Sequence, residues 1–143
     1  MIDLAKLTAS INDNESIRLL PYTDTTGHIT IGWGTNLNAG ITQAEADYLR
    51  DNRISSAVET AKAQPWWPMV QDCDPRARAF IEILFNMGLA KFNEFTKAIA
   101  AALQSDWQTC SAELLESLWA QQVGERAERL VAMVATGEDP GSA

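Results

Sequence analysis

From Thr42 to Gln64 nothing in the sequence interrupts a helix. Thr42-Gln43-Ala44-Glu45 is a capping-box pattern at one end, and Pro65 stops the helix at the other. Helices in globular proteins average ~10–14 residues, so a span this long reads as a connector between two lobes. The chain before it differs in kind from the chain after it. Residues 3–13 have Leu4, Leu7 and Ile11 at helical spacing and predict a short amphipathic helix. From Arg18 to Trp33 the character changes: Tyr22-Thr23-Asp24 leads into the turn residues Thr25-Thr26-Gly27, and His28-Ile29-Thr30-Ile31 is strand-like. A hairpin is predicted there, with a loop over Thr35–Gly40. Beyond Pro65 the patterns are helical throughout. Asp74-Pro75 supplies an N-cap and a first-position proline. Ala77, Phe80, Ile81, Leu84 and Phe85 form an apolar stripe, and Gly88 ends it. Further helices are expected over about 94–104, 106–119 (Trp107, Cys110, Leu114 and Leu118 inward) and 125–135, closing at Thr136-Gly137. The tail from Glu138 is expected to fray. The layout predicts the α+β class with segregated elements. A small antiparallel β lobe over about 15–40 is joined by the helix of about 42–64 to a helical lobe over about 65–137. That helical lobe takes in the N-terminal helix 3–13, and all of it makes one domain.

Composition limits the partners. At 143 residues, 46% hydrophobic and 21% charged, the chain can bury a core without staples. Its formal charge is −8, and the acidic excess is spread over both halves: residues 1–60 carry four basic against eight acidic groups, and 61–143 carry seven against eleven. No basic cluster exists to neutralise phosphates, which argues against nucleic-acid binding. No apolar run approaches the ~20 residues of a bilayer span, and Met1-Ile2-Asp3-Leu4-Ala5-Lys6 lacks the character of an export signal, so a cytosolic start and no membrane insertion are expected. Cys73 and Cys110 form no CxxC pair, and a single histidine cannot complete a usual zinc set. Two free thiols, no metal and no cofactor are the expectation.

Glu15 after the first helix, Asp24 at the hairpin turn and Thr30 in the returning strand place two carboxylates and a hydroxyl on elements that must pack together. That is the minimum kit for hydrolysing a glycosidic bond, one carboxyl donating to the leaving oxygen and the other assisting water. Spacing alone leaves this weak, because any acidic protein has carboxylates near turns.

The run Glu15-Ser-Ile-Arg-Leu-Leu-Pro-Tyr-Thr-Asp24-Thr-Thr-Gly-His-Ile-Thr30-Ile-Gly-Trp-Gly resembles the signature of the phage lysozymes, glycoside hydrolase family 24, of the T-even phage type. The family pattern is Glu, eight residues, Asp, five residues, Thr, then Ile-Gly-x-Gly, and it is met here without an insertion. Pro65-Trp66-Trp67, Ala79 to Gly88, Phe92 to Phe95, and Leu118-Trp119 with Arg126 extend the similarity to about residue 137. The resemblance implies a lysozyme-like fold. It also implies a monomeric endolysin that cleaves the β-1,4 bond between N-acetylmuramic acid and N-acetylglucosamine in peptidoglycan and so lyses the host. Such a protein waits in the host cytoplasm and reaches the periplasm and wall once a separate protein permeabilises the membrane. It makes Glu15 the general acid, with Asp24 and Thr30 holding the nucleophilic water. It places Asn86 near the acid and Arg126 where relatives keep an arginine paired with the catalytic Glu; with Trp33 these are candidate substrate-binding residues. A lytic transglycosylase, which needs no second carboxylate, and a non-catalytic wall-binding module are the alternatives.

Other residues have plainer readings. Trp66, Trp67, Trp107 and Trp119 are expected in the core, and His28 is expected to be an exposed hairpin residue rather than a base. Arg18, Arg50 and Arg53 are expected to make surface ion pairs worth little. Gly27, Gly32 and Gly34 are expected to supply positive φ or close backbone approach. Two features depart from the family: the loop from Thr35 to Ile41 is short, and the best-known members are basic.

Overall fold

A computed structural model describes residues 1–120 and 125–141, without the side chains of residues 119 and 120. The expected inward packing of Trp119 lies outside the described residues. The class is α+β as predicted: eight helices and a small three-stranded antiparallel sheet among the described residues. The chain forms two compact units, Met1–Tyr48 and Leu49 onward.

In the first unit, α1 (Leu4–Glu15) starts where Asp3 accepts the Lys6 N–H at 3.1 Å. It runs further than the apolar spacing suggests, so Glu15 is its last residue rather than the residue after it. Ser16, at φ +52°, turns the chain and caps the helix on Asn12 O. Strands β1 (Arg18–Thr23) and β2 (Ile29–Gly32) form the hairpin, with Tyr22 opposite Thr30 and Thr23 opposite Ile29. A bulge between Arg18 and Tyr22 takes up Pro21, which has no N–H to give a ladder and sits on an edge strand. The expected loop after Gly34 is more ordered than predicted. β3 (Thr35–Asn36) pairs with β2, and a 3₁₀ turn follows over Leu37–Ala39. Side-chain amides organise this turn: Asn36 Oδ1 accepts from Asn38 N–H, and Asn38 Oδ1 accepts from Ile29 N–H at 2.7 Å. Unit one thus includes α1, which the sequence pattern groups with the later helices.

Helix α2 (Gln43–Lys62) has the capping box its sequence announces: Glu45 accepts from Thr42 N–H at 2.7 Å, and Thr42 Oγ1 accepts from Glu45 N–H at 3.2 Å. The division between the units falls inside it. The second unit continues with α3 (Trp67–Val70), α4 (Asp74–Met87), α5 (Leu89–Phe92), α6 (Thr96–Leu103), α7 (Trp107–Ala120) and α8 (Glu125–Thr136). The single turns α3 and α5 are too short to carry a periodic signal. In α4, Asp74 and Pro75 are the first two helical residues; Cys73 holds the cap position without a side-chain cap bond, its thiol facing Gly137 O at 3.6 Å, and Asp74 pairs with Arg78 instead. The predicted stripe is also shifted. Ala79 and Ile83 are buried with Ala77, Phe80 and Leu84, while Phe85 is 40% exposed, because α4 is packed by α3, α5 and α8 on more than one side.

The core of this unit is built on aromatics. Trp66, Phe80 and Phe92 meet with ring centroids 4.8–5.8 Å apart, and Trp107 stands edge-on to Phe80 at 6.4 Å. Trp66 is the core residue predicted, its indole N–H buried with no acceptor among the described residues, while Trp67 is half-buried against the same core. Among the described residues, no helix is long and apolar enough to cross a membrane.

Candidate active site

Each candidate in the first unit is placed by a different local device. Glu15, at the end of α1, has its carboxyl lodged against Gly34 in the β2–β3 turn. A Cβ on Gly34 would lie 2.5 Å from Glu15 Oε2, and φ there is +83°. The family-like Gly32-Trp33-Gly34 run is therefore a backbone surface onto which this carboxyl closes. Trp33, between the glycines, is 44% exposed.

Asp24 closes the hairpin. Its backbone N–H donates to His28 O at 2.9 Å and its carbonyl accepts from Gly27 N–H at 3.1 Å, with Gly27 at φ +88°. The side chain turns back onto the same loop: Oδ1 accepts from Thr26 N–H (2.9 Å), Thr26 Oγ1 (2.8 Å) and His28 N–H (2.8 Å). These bonds, the His28 N–H first and the Thr26 hydroxyl second, hold the Asp24 carboxyl below its usual range, so it is ionised near neutrality.

Thr30 sits at the centre of the sheet, opposite both Tyr22 and Asn36, and is 4% exposed. Its hydroxyl lies 3.2 Å from His28 O and 3.5 Å from Asp24 Oδ2. The shorter contact takes the single hydroxyl proton, and the longer one is at the edge of hydrogen bonding. Asp24 Oδ2 and Thr30 Oγ1 therefore stand side by side as two acceptors, suited to receive the two protons of one water.

Asn86 and Arg126 belong to the second unit, where Arg126 Nη1 donates to Asn86 Oδ1 at 3.3 Å and both are exposed. The structure thus brings Asp24 and Thr30 together, Glu15 against Gly34, and Asn86 with Arg126. Sequence reasoning gave Thr26 and His28 no part in the site, although an Asp two and four residues ahead of them in a turn is a known self-bonding pattern. His28 is half exposed, as expected. Of the arginines expected at the surface, Arg50 bonds Asp51 at 3.0 Å, whereas Arg18 lies over the Tyr22 ring. Cys73 and Cys110 are free thiols. Among the described residues no cluster of three or more His, Cys, Asp or Glu could hold a metal.

Comparison with known proteins bears on the whole arrangement. The sequence is similar to two proteins of Dictyostelium discoideum. One, Probable T4-type lysozyme 1, is 24% identical over 92% of this chain and 96% of its own length; the other, Probable T4-type lysozyme 2, is 23% identical over 92% and 76%. It is also 27% identical, over 87% of its length, to the Pre-baseplate central spike protein Gp5 of Enterobacteria phage T4, of which it spans about a quarter (26%). The family model described as Phage lysozyme matches residues 12–134, a stretch that begins inside α1 and ends near the close of α8. With the site motif and nearly all the helices inside that match, the chain belongs to the phage lysozyme family.

Proposed function

We propose that the protein is a peptidoglycan N-acetylmuramidase that hydrolyses the β-1,4 bond between N-acetylmuramic acid and N-acetylglucosamine, and that it acts as an endolysin. Family membership supports a lysozyme-type glycosidase in general terms. The observation that carries the finer reading is the pairing of an ionised Asp24 with the Thr30 hydroxyl, Oδ2 and Oγ1 being 3.5 Å apart beside an otherwise saturated carboxylate. In this mechanism Glu15 protonates the leaving glycosidic oxygen. A water held by Asp24 Oδ2 and Thr30 Oγ1 attacks the anomeric carbon from the opposite face as the bond to the leaving oxygen breaks, and Asp24 Oδ2 takes the proton that the water loses. Direct attack by water inverts the anomeric centre. Trp33, Asn86 and Arg126 bind the glycan. The enzyme acts as a monomer, is held in the host cytoplasm, and gains the wall when another protein opens the membrane.

The test is lysis of purified peptidoglycan by wild type and Glu15→Gln. Loss of about 10²–10⁴-fold is expected, the usual worth of a general acid, with far-UV circular dichroism and melting unchanged. Retention of more than a few per cent of activity removes Glu15 from the role. Products should carry ordinary reducing ends formed first as the α anomer; 1,6-anhydro ends would make the protein a transglycosylase, and an inert wild type a binding module.

A further inference from the structure

We propose that His28 is a positioning residue for Asp24. Its Nδ1–H donates to Thr26 Oγ1, and the Thr26 hydroxyl in turn donates to Asp24 Oδ1. This rests on the reading of Asp24 as the carboxylate that holds water, and it comes from counting protons. Thr26 Oγ1 lies 2.8 Å from Asp24 Oδ1 and 2.8 Å from His28 Nδ1. A hydroxyl has one proton to give and two lone pairs to receive, while an ionised carboxylate can only receive. The Thr26 proton is therefore committed to Asp24, and the second contact holds only if the imidazole supplies a proton on Nδ1. The opposite tautomer, protonated on Nε2 alone, would set two lone pairs against each other at 2.8 Å or draw the Thr26 hydroxyl away from Asp24. Neutral His28 is thus the Nδ1–H tautomer, and the protonated form donates in the same way.

The consequence lies at Asp24. With the Thr26 hydroxyl added to the two backbone N–H groups, Oδ1 accepts three bonds. Any rotation of the carboxyl group that exchanged the two oxygens would break all three. Among the described residues, Oδ2 has Thr30 Oγ1 at 3.5 Å and His28 Nδ1 at 3.9 Å as near polar neighbours. The chain from His28 through Thr26 therefore decides which oxygen of Asp24 is bound to the turn and which is free to take water, without His28 touching the substrate.

The chain has a single histidine, so its imidazole nitrogens can be read directly by long-range proton–nitrogen correlation spectroscopy on the whole 143-residue chain. In the neutral imidazole, Nδ1 should show the protonated type of shift and Nε2 the unprotonated type. In Thr26→Val this preference should disappear. An Nε2–H tautomer in the wild type overturns the proposal whether or not the protein is active. On peptidoglycan, Thr26→Val and His28→Phe should each lower kcat about tenfold with KM nearly unchanged. His28→Asn, whose amide N–H can replace Nδ1–H, should recover most of the loss. Wild-type kcat in His28→Phe, or equal damage from Asn and Phe, also overturns the proposal. These outcomes are separable from failure of the catalytic reading: a fully active Glu15→Gln removes that reading and leaves the tautomer result standing. Conversely, a dead Glu15→Gln beside an unimpaired His28→Phe removes His28 alone.

Discussion

Gly34 and Cys110 show how much a single side chain, present or missing, decides. Gly34 sits at φ +83°, and a Cβ there would meet Glu15 Oε2 at 2.5 Å and Cδ at 2.7 Å. The obstructing atoms are the far end of a flexible side chain, so in Gly34→Ala the carboxylate moves and the backbone stays. Displacement of a reacting group by about 1 Å can cost 10²-fold, and that loss is expected in peptidoglycan lysis. The left-handed backbone adds about 1–2 kcal/mol of instability. Gly40→Ala is the control, because φ is +80° there and an added Cβ would meet nothing within 4 Å among the described residues: it should melt as early as Gly34→Ala yet retain its activity. Equal activity in the two variants would remove Gly34 from the site. Cys110, buried in α7, has its thiol pushed up to about 12 by burial and by the nearby Asp106. A raised folded-state value leaves stability intact below the unfolded value of about 9.0, and stability falls as pH rises from there toward 12, by up to about 1.4 kcal/mol per pH unit. Denaturant melts from pH 8 to 11 should show that slope in the wild type and a flatter one in Cys110→Ala. That Asp24 and Thr30 lie close together was legible at this scale because one short hairpin holds both, where spacing in sequence nearly fixes spacing in space, and Glu15 ends the helix just before it. Thr26 and His28 were missed because an exposed polar turn residue carries no periodicity to betray its bonds.

Among the elements, α2 and α8 differ in where their end signals come from. The capping box of α2 is local, Thr42 and Glu45 satisfying each other's backbone groups, and the sequence foretold it. The C-terminus of α8 ends at Gly137, also foretold, but it is closed by a residue 58 positions away. Arg76 of α4 donates from Nε to Val134 O at 2.8 Å and from Nη2 to Ala135 O at 3.3 Å, and its guanidinium lies 4.6 Å from the Trp107 ring centre in α7. A cation here meets the negative end of the helix and ties three helices together. No pattern within α4 announces it, since an arginine on a helix reads as a solvated charge until its partners are known. The tail shows the same limit: Glu138 onward was expected to fray, yet Asp139 bonds Arg78 at 2.6 Å. The two arginines make a comparison of magnitudes. Arg76→Lys loses the planar fork and the stacking, and should cost about 1.5–3 kcal/mol in urea denaturation. Arg78→Lys alters bonds to the exposed carboxylates of Asp74 and Asp139, and should cost at most about 1 kcal/mol. If the two cost the same, the clamp on α8 contributes nothing special.

For the whole molecule the deciding quantity is the formal charge of −8, which is additive and therefore fully legible in sequence. A bacterial wall is itself polyanionic, so the proposed substrate repels this protein where it would attract a basic one. The repulsion acts on encounter, because charge far from the bond being cut steers approach more than chemistry. Its range is set by salt: the Debye length falls from about 30 Å at 0.01 M to about 8 Å at 0.15 M. Raising sodium chloride over that interval should therefore increase kcat/KM on whole walls, the reverse of the trend for a basic enzyme, while kcat at saturating substrate stays level. Millimolar magnesium should do more than the equivalent sodium, since a divalent ion can also bridge carboxylates to wall phosphates. The effect should shrink on short glycan fragments, which carry few charges to screen. Measuring both substrates across the same salt series separates the two explanations of any change. A rise confined to whole walls reports electrostatic encounter. A rise on fragments as well would place the salt effect inside the site, where the Asp24 carboxyl is held ionised by its turn.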